Sequence, residues 1–500
     1  MYEPTARNEV AVYDVAALRA LEARAAEEFG DAFELMRRAG QAAWQALLAQ
    51  WSEALHVVVV CGPGRNGGDG YVLATHAVES GRSVRVVRMA EHAPRDPLGL
   101  QAARAYVDAG GAIVEFAGEL PHADVVVDAL FGIGLSRAPE AATAALIAAI
   151  NRHDGRILSL DVPSGVDAER GAVPGVAVEA TRTLEFLLPK RGLRTGRALD
   201  HVGMLSLAQL GVEAELRDAR PPAGHVLVPD HLELWLPQRA RDSHKGDHGR
   251  VLCVGGDHGS GGAILLTVEA ALRSGAGLVE LVTRDAHVPA ALTRLPEAMA
   301  RGADDVTRVR EPSMRADVIA IGPGLGTGDW GAALLDAALE APGAKVLDAD
   351  ALNLLARDPR PLPADTVLTP HPGEAARLLA IATADVQADR LGCARALAER
   401  HGAVVVLKGA GTIVAAPDAV PRLIGAGNPG MAVGGMGDVL TGVVAAMLAQ
   451  GFDAFDAAAV GALLHAAAGD AAAQDEGERG LLPTDVMPWL RRFANPEIEE

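Results

Sequence analysis

HVVVVCGPGRNGGDG, residues 56–70, is a run of valines that passes into a glycine-rich segment. Valine favours strands and glycine permits tight turns, so the stretch predicts a strand, a turn and the start of a helix. Further β-rich runs, separated by helix-length segments, lie at residues 83–89, 112–116, 123–132 and 156–165. This alternation predicts a doubly wound, mostly parallel sheet of the α/β class.

The segment before this run, residues 14–50, carries apolar side chains at helical spacing. It predicts two opening helices, the second beginning at an N-cap, Asp31, whose reciprocal partner is Glu34.

The second half of the chain repeats the alternation. A new series of β-rich runs opens with RVLCVGGDHGS and lies at residues 250–260, 278–283, 316–326, 345–353, 365–374 and 403–416. It predicts a second α/β domain that ends in two alanine-rich helices after GGMGD. Between the halves, GVEAELRDARPPAGH (211–225) loses periodicity, which is typical of a linker. We therefore predict domains at residues 1–218 and 219–500.

Composition narrows the class of protein. The chain has 500 residues and 45 basic against 65 acidic side chains, a net charge of −20, which disfavours nucleic-acid and anionic-membrane partners. Its three cysteines, Cys61, Cys253 and Cys393, are widely spaced and odd in number, which predicts no disulfide framework. No apolar run has the length of a signal peptide or a membrane span. We expect a cytoplasmic protein with no membrane partner.

The strand ends of the N-terminal half carry polar side chains. Asn66 lies in the glycine-rich segment, Asp128 lies near the expected strand end in the run at 123–132, and Asp161 and Ser164 lie near the expected strand end in the run at 156–165. Because ligands of open α/β sheets gather at the carboxyl ends of the strands, these four residues are expected to converge. Their oxygens suit a hard cation, and a carboxylate among them can move a proton. Ordinary Rossmann dinucleotide binding, a plain turn and aspartates that only cap turns are the alternatives.

GNPGMAVGGMGDVLTGVVAAML (427–448) is the most informative stretch of the C-terminal half. Its glycines open a long apolar helix, whose unpaired amides can form an anion hole for a phosphoryl group. Asp438, at the helix start, is placed to act as base on a substrate hydroxyl. The alternative is that Asp438 is only an N-cap.

Three shorter motifs also end strands. KGAGT (408–412) can bring Lys408 to a nucleotide or be a plain hairpin turn, and GPGLG (322–326) offers close backbone approach or a turn. His371 in HPGE can bind substrate or cap the next helix. There is no GxxxxGK[ST] motif, which excludes a P-loop kinase, and histidines never occur at zinc-ligand spacing.

Several long motifs together resemble one family. GPGRNGGDG, DALFGIGL and DVPSGVDAERG are similar to the NAD(P)H-hydrate epimerases. HKGDHGRVLCVGGDHGSGGA, DADALN, LTPHPGEAARLL, VVLKGAGT and NPGMAVGGMGDVLTG resemble the NAD(P)H-hydrate dehydratases. The order of the halves matches the bifunctional nicotinamide-nucleotide repair enzymes. The resemblance implies a Rossmann-like three-layer α/β/α domain followed by a ribokinase-like domain.

For the first domain, the resemblance implies that it interconverts the R and S epimers of NADH or NADPH hydrated across C5–C6 of the nicotinamide ring. K⁺ would be held by Asn66, Asp128 and Ser164, and Asp161 would be the acid/base residue. Arg65 and Glu140 depart from the family's pattern. Besides Asp161, the implied substrate-binding residues are Asn66, Gly67, Gly68, Asp69, Gly70, Gly132, Ile133, Gly134, Leu135, Ser136, Arg137 and Ala138.

For the second domain, the resemblance implies dehydration of the S epimer with ADP converted to AMP and phosphate, assisted by Mg²⁺. Hydroxide leaves poorly, so the hydroxyl would be phosphorylated first, with Asp438 as its base and the amides near Gly435 and Gly437 binding the phosphoryl group. The hydrate would be bound by Ala263, Gly324, His371 and Asp438. The nucleotide would be bound by Lys408, Gly409, Ala410, Gly411, Thr412 and Gly437.

Two other functions compete. The first is a vitamin or sugar kinase of ribokinase-like fold with an N-terminal Rossmann-type regulatory domain. This hypothesis accounts for the GGMGD motif but for none of the other motifs. A non-enzymatic nucleotide-binding scaffold is disfavoured by the presence of Asp161 and Asp438. The expected partners are hydrated NADH or NADPH and ADP, and we expect a homo-oligomer.

Overall fold

The structure is a computed structural model that describes residues 9–135 and 137–495. It divides into two compact units, one from Ala11 to Gly224 and one that takes in the chain from His225 onward. The sequence-based boundary lies six residues earlier, after residue 218. The stretch expected to be an irregular linker contains a short helix, Ala214–Asp218.

The unit from Ala11 to Gly224 follows the predicted alternation. A short strand, β1 (Val10–Val12), lies where the units divide. The other strands are β2 His56–Cys61, β3 Ser83–Arg88, β4 Ala112–Glu115, β5 Val125–Ala129, β6 Arg156–Leu160, β7 Arg182–Phe186 and β8 Met204–Ala208. The helices are α1 Val15–Phe29, α2 Ala32–Gln50, α3 Arg65–Glu79, α4 Pro97–Asp108, α5 Ala141–Asn151 and α6 Ala214–Asp218.

The sheet of this unit has the order β4-β3-β2-β5-β6-β7-β8, and its neighbouring strands are parallel. Alternate side chains of β2 enter different cores. Val57 and Val59 pack in the core that contains residues of α1–α4, while Val58 and Val60 pack in the core that contains Leu146 of α5. The predicted three-layer α/β/α arrangement is confirmed, since a parallel sheet needs cover on both faces.

The two opening helices are confirmed, and Asp31 caps α2 by accepting from the amide of Phe33. The prediction that Glu34 forms a reciprocal hydrogen bond with the N-cap residue Asp31 is wrong. The Glu34 carboxylate instead accepts from Arg37 and Arg38, at 2.7 Å in each case, because i,i+3 and i,i+4 guanidinium groups compete better than one backbone amide.

The second unit holds the remaining elements. Its strands are β9 Gly224–Leu227, β10 Arg250–Val254, β11 Leu278–Thr283, β12 Met299–Gly302, β13 Val318–Ile321, β14 Ala344–Leu347, β15 Thr366–Leu368, β16 Val404–Leu407, β17 Ile413–Ala415 and β18 Arg422–Ile424. Its helices are α7 Leu232–Trp235, α8 Gly261–Arg273, α9 Val288–Arg294, α10 Arg310–Ser313, α11 Asp329–Glu340, α12 Ala349–Arg357, α13 Pro372–Leu379, α14 Thr383–Ala388, α15 Arg390–His401, α16 Met436–Ala449, α17 Ala454–Glu476 and α18 Pro483–Phe493.

From residue 224 onward the strands run in the order β9-β18-β17-β16-β15-β14-β13-β10-β11-β12. Pairing is parallel except where the β16–β17 and β17–β18 hairpins reverse the chain. The apolar helices α16 and α17 are buried along most of their length in a core with α8. A third helix, α18, follows the two that the sequence predicts, and begins with Pro483 at its first position.

Cys61, Cys253 and Cys393 are free thiols, as expected. Among the described residues, no helix combines the length and the apolar character that crossing a membrane requires.

Candidate active sites

The glycine-rich segment of the N-terminal unit is mostly helix. The predicted turn after β2 is short, because α3 begins at Arg65, so Asn66 and Asp69 lie in the first two turns of the helix. A Cβ on Gly67 would lie 2.0 Å from the carbonyl oxygen of Gly62, and one on Gly62 would lie 1.8 Å from that of Leu130. Only glycine permits this close approach, which brings the start of α3 against the ends of β2 and β5. The chain order reverses between these two strands, the usual position of a ligand site in an open α/β sheet.

Asn66, Asp128 and Ser164 are buried at this point. The Asn66 amide nitrogen donates to the Leu160 carbonyl at 3.1 Å, and its buried Oδ1 has no hydrogen-bond partner among the described residues. The Ser164 hydroxyl donates to Asp128 Oδ1 at 2.6 Å and accepts from the Phe131 amide. Burial raises the pKa of Asp128, and hydrogen bonds from Ser164 and Ser159 oppose that rise.

Asp161 follows β6 with φ = +66°, a left-handed conformation that is rare outside glycine. Its carboxylate accepts from the Phe186 amide at 3.1 Å and forms an ion pair with the ammonium of Lys190. Lys190 is fully buried and also donates to the Phe186 carbonyl at 2.8 Å. The hydrogen bond from the Phe186 amide and the ion pair with Lys190 thus hold the Asp161 side chain on a strained backbone. Such strain is typical of a functional position.

A cavity of about 1020 Å³ opens above these strand ends. Gly67, Gly68 and Gly70 of the expected substrate-binding residues do not line it, because they pack inward, and Ser136 lies outside the described residues. The expected residues that line it are Asn66, Asp69, Gly132, Ile133, Gly134, Leu135, Arg137, Ala138 and Asp161.

Two acidic groups of this cavity have perturbed ionisation. Burial raises the pKa of Asp69 well above its usual value, and the nearby carboxylates of Asp161 and Glu22 add to the effect. Burial and Asp161 likewise raise the pKa of Glu22. Glu22 and Lys190 were missed by the sequence analysis, since neither lies in a recognisable motif. The only local signal for Glu22 is its position on the first helix.

In the C-terminal unit, α16 begins after Gly435, the left-handed N-cap at φ = +99°. Asp438 lies in the first turn, as predicted. Its side chain makes no ion pair among the described residues, while its backbone carbonyl accepts from Thr267 of α8 at 2.9 Å. The alternative, that Asp438 is only an N-cap, does not hold, because the cap is Gly435. The first-turn amides of α16 lack intrahelical partners, as an anion site requires.

Strands β14, β15 and β16 are neighbours and parallel, so their carboxyl ends bring Asp348, His371 and Lys408 together. Lys408 Nζ lies 2.7 Å from Asp348 Oδ1 and 3.9 Å from Glu374 Oε2. Thr441, one turn after Gly437, donates to Asp348 Oδ2 at 2.8 Å. Asp348, Glu374 and Thr441 were not among the predicted site residues, although DADALN and HPGE were recognised as motifs.

Two carboxyl groups near Lys408, those of Asp438 and Glu374, have pKa values well above the usual range. Burial raises the pKa of Asp438 to about 7, with a further contribution from the charge of Asp348, while Lys408 lowers it. Burial also raises the pKa of Glu374 to about 7. A general base with a pKa near 7 is well matched to neutral solution.

The other expected residues of this unit are placed as follows. His371 caps α13, its Nδ1 accepting from the Gly373 amide at 3.0 Å, so the capping alternative is confirmed and substrate contact stays a prediction. A Cβ on Gly324 would lie 2.5 Å from the carbonyl oxygen of Ser260. The backbone of Gly324 therefore lies close to the residue just before α8, the helix that contains Ala263. Residues 408–412 form the turn of the antiparallel β16–β17 hairpin. Nucleotide binding by Gly409, Ala410, Gly411 and Thr412 stays a prediction.

Comparisons with known proteins cover both units. The family model described as YjeF-related protein N-terminus matches residues 32–192, and the one described as NAD(P)H-hydrate dehydratase matches residues 251–492. The chain is 44% identical over 472 residues to a bifunctional NAD(P)H-hydrate repair enzyme of Escherichia coli, covering 94% of this chain and 90% of the relative. It is 44% identical over 492 residues to a Coxiella burnetii protein of the same description, covering 97% and 99%.

A solved structure of a ribokinase-like superfamily protein from Enterococcus faecalis matches with a TM-score of 0.52 and 32% identity. It covers 55% of this chain and 96% of that protein. The ribokinase-like fold expected for the C-terminal half is confirmed.

Proposed function

The chain belongs to the bifunctional NAD(P)H-hydrate repair enzymes, and we propose that its two units carry separate active sites, an epimerase around Asp161 and an ADP-dependent dehydratase around Asp438. The observation that carries the proposal is that each unit brings its own strand-end carboxylates to a lysine, Lys190 in the first and Lys408 in the second. The substrates are hydrated NADH and NADPH.

At the epimerase site, the hydrated carbon is bonded to both a hydroxyl oxygen and the ring nitrogen. Interconverting its epimers requires a bond to that carbon to break and re-form while a proton moves on and off the hydroxyl. Asp161 performs this transfer, since its carboxylate lines the cavity and is held in place by the ion pair with the Lys190 ammonium. Phe186 fixes the carboxylate through its amide.

The residues below Asp161 fit a monovalent cation. Within the part of the chain that the structure describes, the buried Oδ1 of Asn66 has no hydrogen-bond partner, and the Ser164 hydroxyl oxygen can accept one more contact. Asp128 already accepts four hydrogen bonds, so direct contact with K⁺ requires one of them to yield. A K⁺ ion held by these oxygens would supply a positive charge close to Asp161.

At the dehydratase site, Asp438 takes the proton of the substrate hydroxyl as its oxygen bonds to the β-phosphorus of ADP, and the bond from that phosphorus to AMP breaks. Phosphate then leaves with its electron pair and C5 loses a proton, which restores the double bond. The amides at the start of α16 bind the transferring group.

Mg²⁺ is expected to arrive with the nucleotide. In residues 9–135 and 137–495, no three His, Cys, Asp or Glu side chains form a group that could hold a metal ion. In phosphoryl-transfer sites Mg²⁺ is held by one or two carboxylates together with substrate phosphates. The homo-oligomeric state and cytoplasmic location expected from the sequence stay predictions.

The test is a mixture of both hydrate epimers incubated with the full chain, ADP and a magnesium salt. We expect the absorbance of the reduced nicotinamide to return completely, with one AMP and one phosphate formed per ring restored. Recovery at full rate without nucleotide would contradict the phosphorylation step. Accumulation of a phosphorylated small molecule would indicate a kinase, and no product at all would indicate a scaffold.

A further inference from the structure

The side chain of Lys408 reaches the start of α16. A Cβ built on Gly437 would lie 3.0 Å from Lys408 Nζ and 3.6 Å from Asp348 Oδ2. A glycine at 437 therefore leaves open the space in which the ammonium approaches the first turn of the helix. The ammonium therefore lies beside the first turn of α16, whose amides form the proposed anion hole.

Among the described residues, the ammonium has one hydrogen bond, to Asp348 at 2.7 Å. Glu374 lies at ion-pair distance only, 3.9 Å away. A lysine carries three N–H donors, so two directions remain for an incoming acceptor. The Lys408 side chain is 18% exposed while that of Asp348 is 2% exposed, so the ammonium reaches the surface of the site from a buried support.

Asp348 is itself fixed. Its second carboxylate oxygen accepts from Thr441 at 2.8 Å, and Thr441 also bonds to the Gly437 carbonyl at 3.1 Å. The chain Lys408, Asp348, Thr441 therefore ties the end of β16 to the first turn of α16. This arrangement holds the ammonium at a constant distance from the helix amides.

We propose that Lys408 is a catalytic residue that binds the phosphoryl group while it transfers, with Asp348 and Thr441 as its positioning residues. The proposal rests on the proposed dehydratase function and differs from a role of Lys408 in binding the AMP portion of the nucleotide. In the transfer, the bond from the hydroxyl oxygen to phosphorus forms, the bond from phosphorus to AMP breaks, and the hydroxyl proton passes to Asp438. Lys408 stays protonated and compensates the negative charge on the equatorial oxygens.

The first test is K408M in the full chain, with K245M as the matched control because Lys245 is exposed. We expect kcat for ADP-driven dehydration to fall about 10²- to 10³-fold, the usual effect of removing one oxyanion donor. Affinity for AMP, which lacks the transferred phosphoryl group, should stay within twofold of wild type by calorimetric titration. A loss of AMP affinity with kcat retained would overturn the proposal.

Epimerase activity of K408M, measured on the same preparation, reports that the chain is folded. The second test, T441V, keeps the size of the side chain and removes the hydroxyl that bonds to Asp348 and to the Gly437 carbonyl. We expect kcat to fall about tenfold, KM for ADP to stay unchanged, and T441S to restore the rate. An unchanged kcat in T441V with only a lower Tm would overturn the positioning role.

Failure of the proposed function gives a different result from failure of this inference. If wild type and K245M do not dehydrate the hydrate with ADP, the dehydratase assignment is wrong. If they do and K408M keeps their kcat, the dehydratase assignment stands and Lys408 does not contact the phosphoryl group.

Discussion

Asp161 lies at the end of a strand and Asp438 at the start of a helix, each beside a proposed ligand site, yet their surroundings differ. Asp161 is bonded to the ammonium of a fully buried lysine. Asp438 makes no ion pair among the described residues, and the lysine of its site is bonded to a third residue, Asp348. The carboxylate of Asp161 is thus paired directly with an ammonium, whereas burial raises the pKa of the unpaired Asp438 to about 7. The two units therefore differ in which carboxylate the lysine contacts, Asp161 itself in one and Asp348 in the other.

The sharpest way to break the comparison is to remove each carboxylate. D438N keeps size and removes the base, so ADP-driven dehydration should fall about 10²- to 10⁴-fold while epimerisation survives. D161N should do the reverse, giving biphasic recovery from a mixture of epimers. Time courses of both epimers by chromatography measure both effects. Loss of both activities in either folded variant would refute two independent sites.

The next prediction concerns Lys190, the partner of Asp161 in the buried ion pair. K190M leaves a carboxylate in a buried position without its counter-charge, so epimerisation should fall at least about tenfold and the N-terminal unit should lose about 3–5 kcal/mol of stability. Dehydration of the pure S epimer should be unaffected. Denaturant unfolding and epimer chromatography are the measurements, with K245M as control. Normal epimerisation in K190M would show that Asp161 does not depend on the ammonium.

The cation site tests whether the N-terminal unit needs a second positive charge. D128N keeps the shape of the side chain and removes its charge, so the K⁺ concentration for half-maximal epimerisation should rise about 10- to 100-fold. A titration with KCl at constant ionic strength measures it, and dehydration on the same enzyme is the control. K⁺ dependence identical to wild type would mean that Asp128 has no part in the site.

The smallest effect concerns pH. Because the pKa of Asp438 is raised to about 7 and the base must be ionised, kcat/KM for dehydration should fall as pH decreases below about 7. The charge of Asp348 contributes to this rise, so D348N should move the fall to lower pH by about one unit, besides lowering the plateau. The pH profile of each variant is the measurement. A shift to higher pH would contradict the proposed direction of coupling.

Much of the fold was predictable because its signals are local. Valine runs followed by glycines indicated the strands β2 and β5 and the turns after them, the apolar run RILSL indicated β6, and the glycines before Asp438 indicated the start of α16. Boundaries were less accurate, since the run at 123–132 is a strand only at Val125–Ala129. The helix at 65–79 begins earlier than its glycines suggested, because those glycines serve close packing and not loop flexibility.

The sequence by itself determined the α/β class, the two halves and the aspartates at the ends of strands, since each depends on periodicity or on residue types that are near one another in the chain. Only the tertiary structure decided which charges meet. Lys190 joins Asp161 across 29 positions, and Lys408 joins Asp348 across 60. These pairs depend on the order of strands in each sheet, which places the ends of β14, β15 and β16 side by side. Strand order follows from packing of the whole sheet, so no local pattern specifies it.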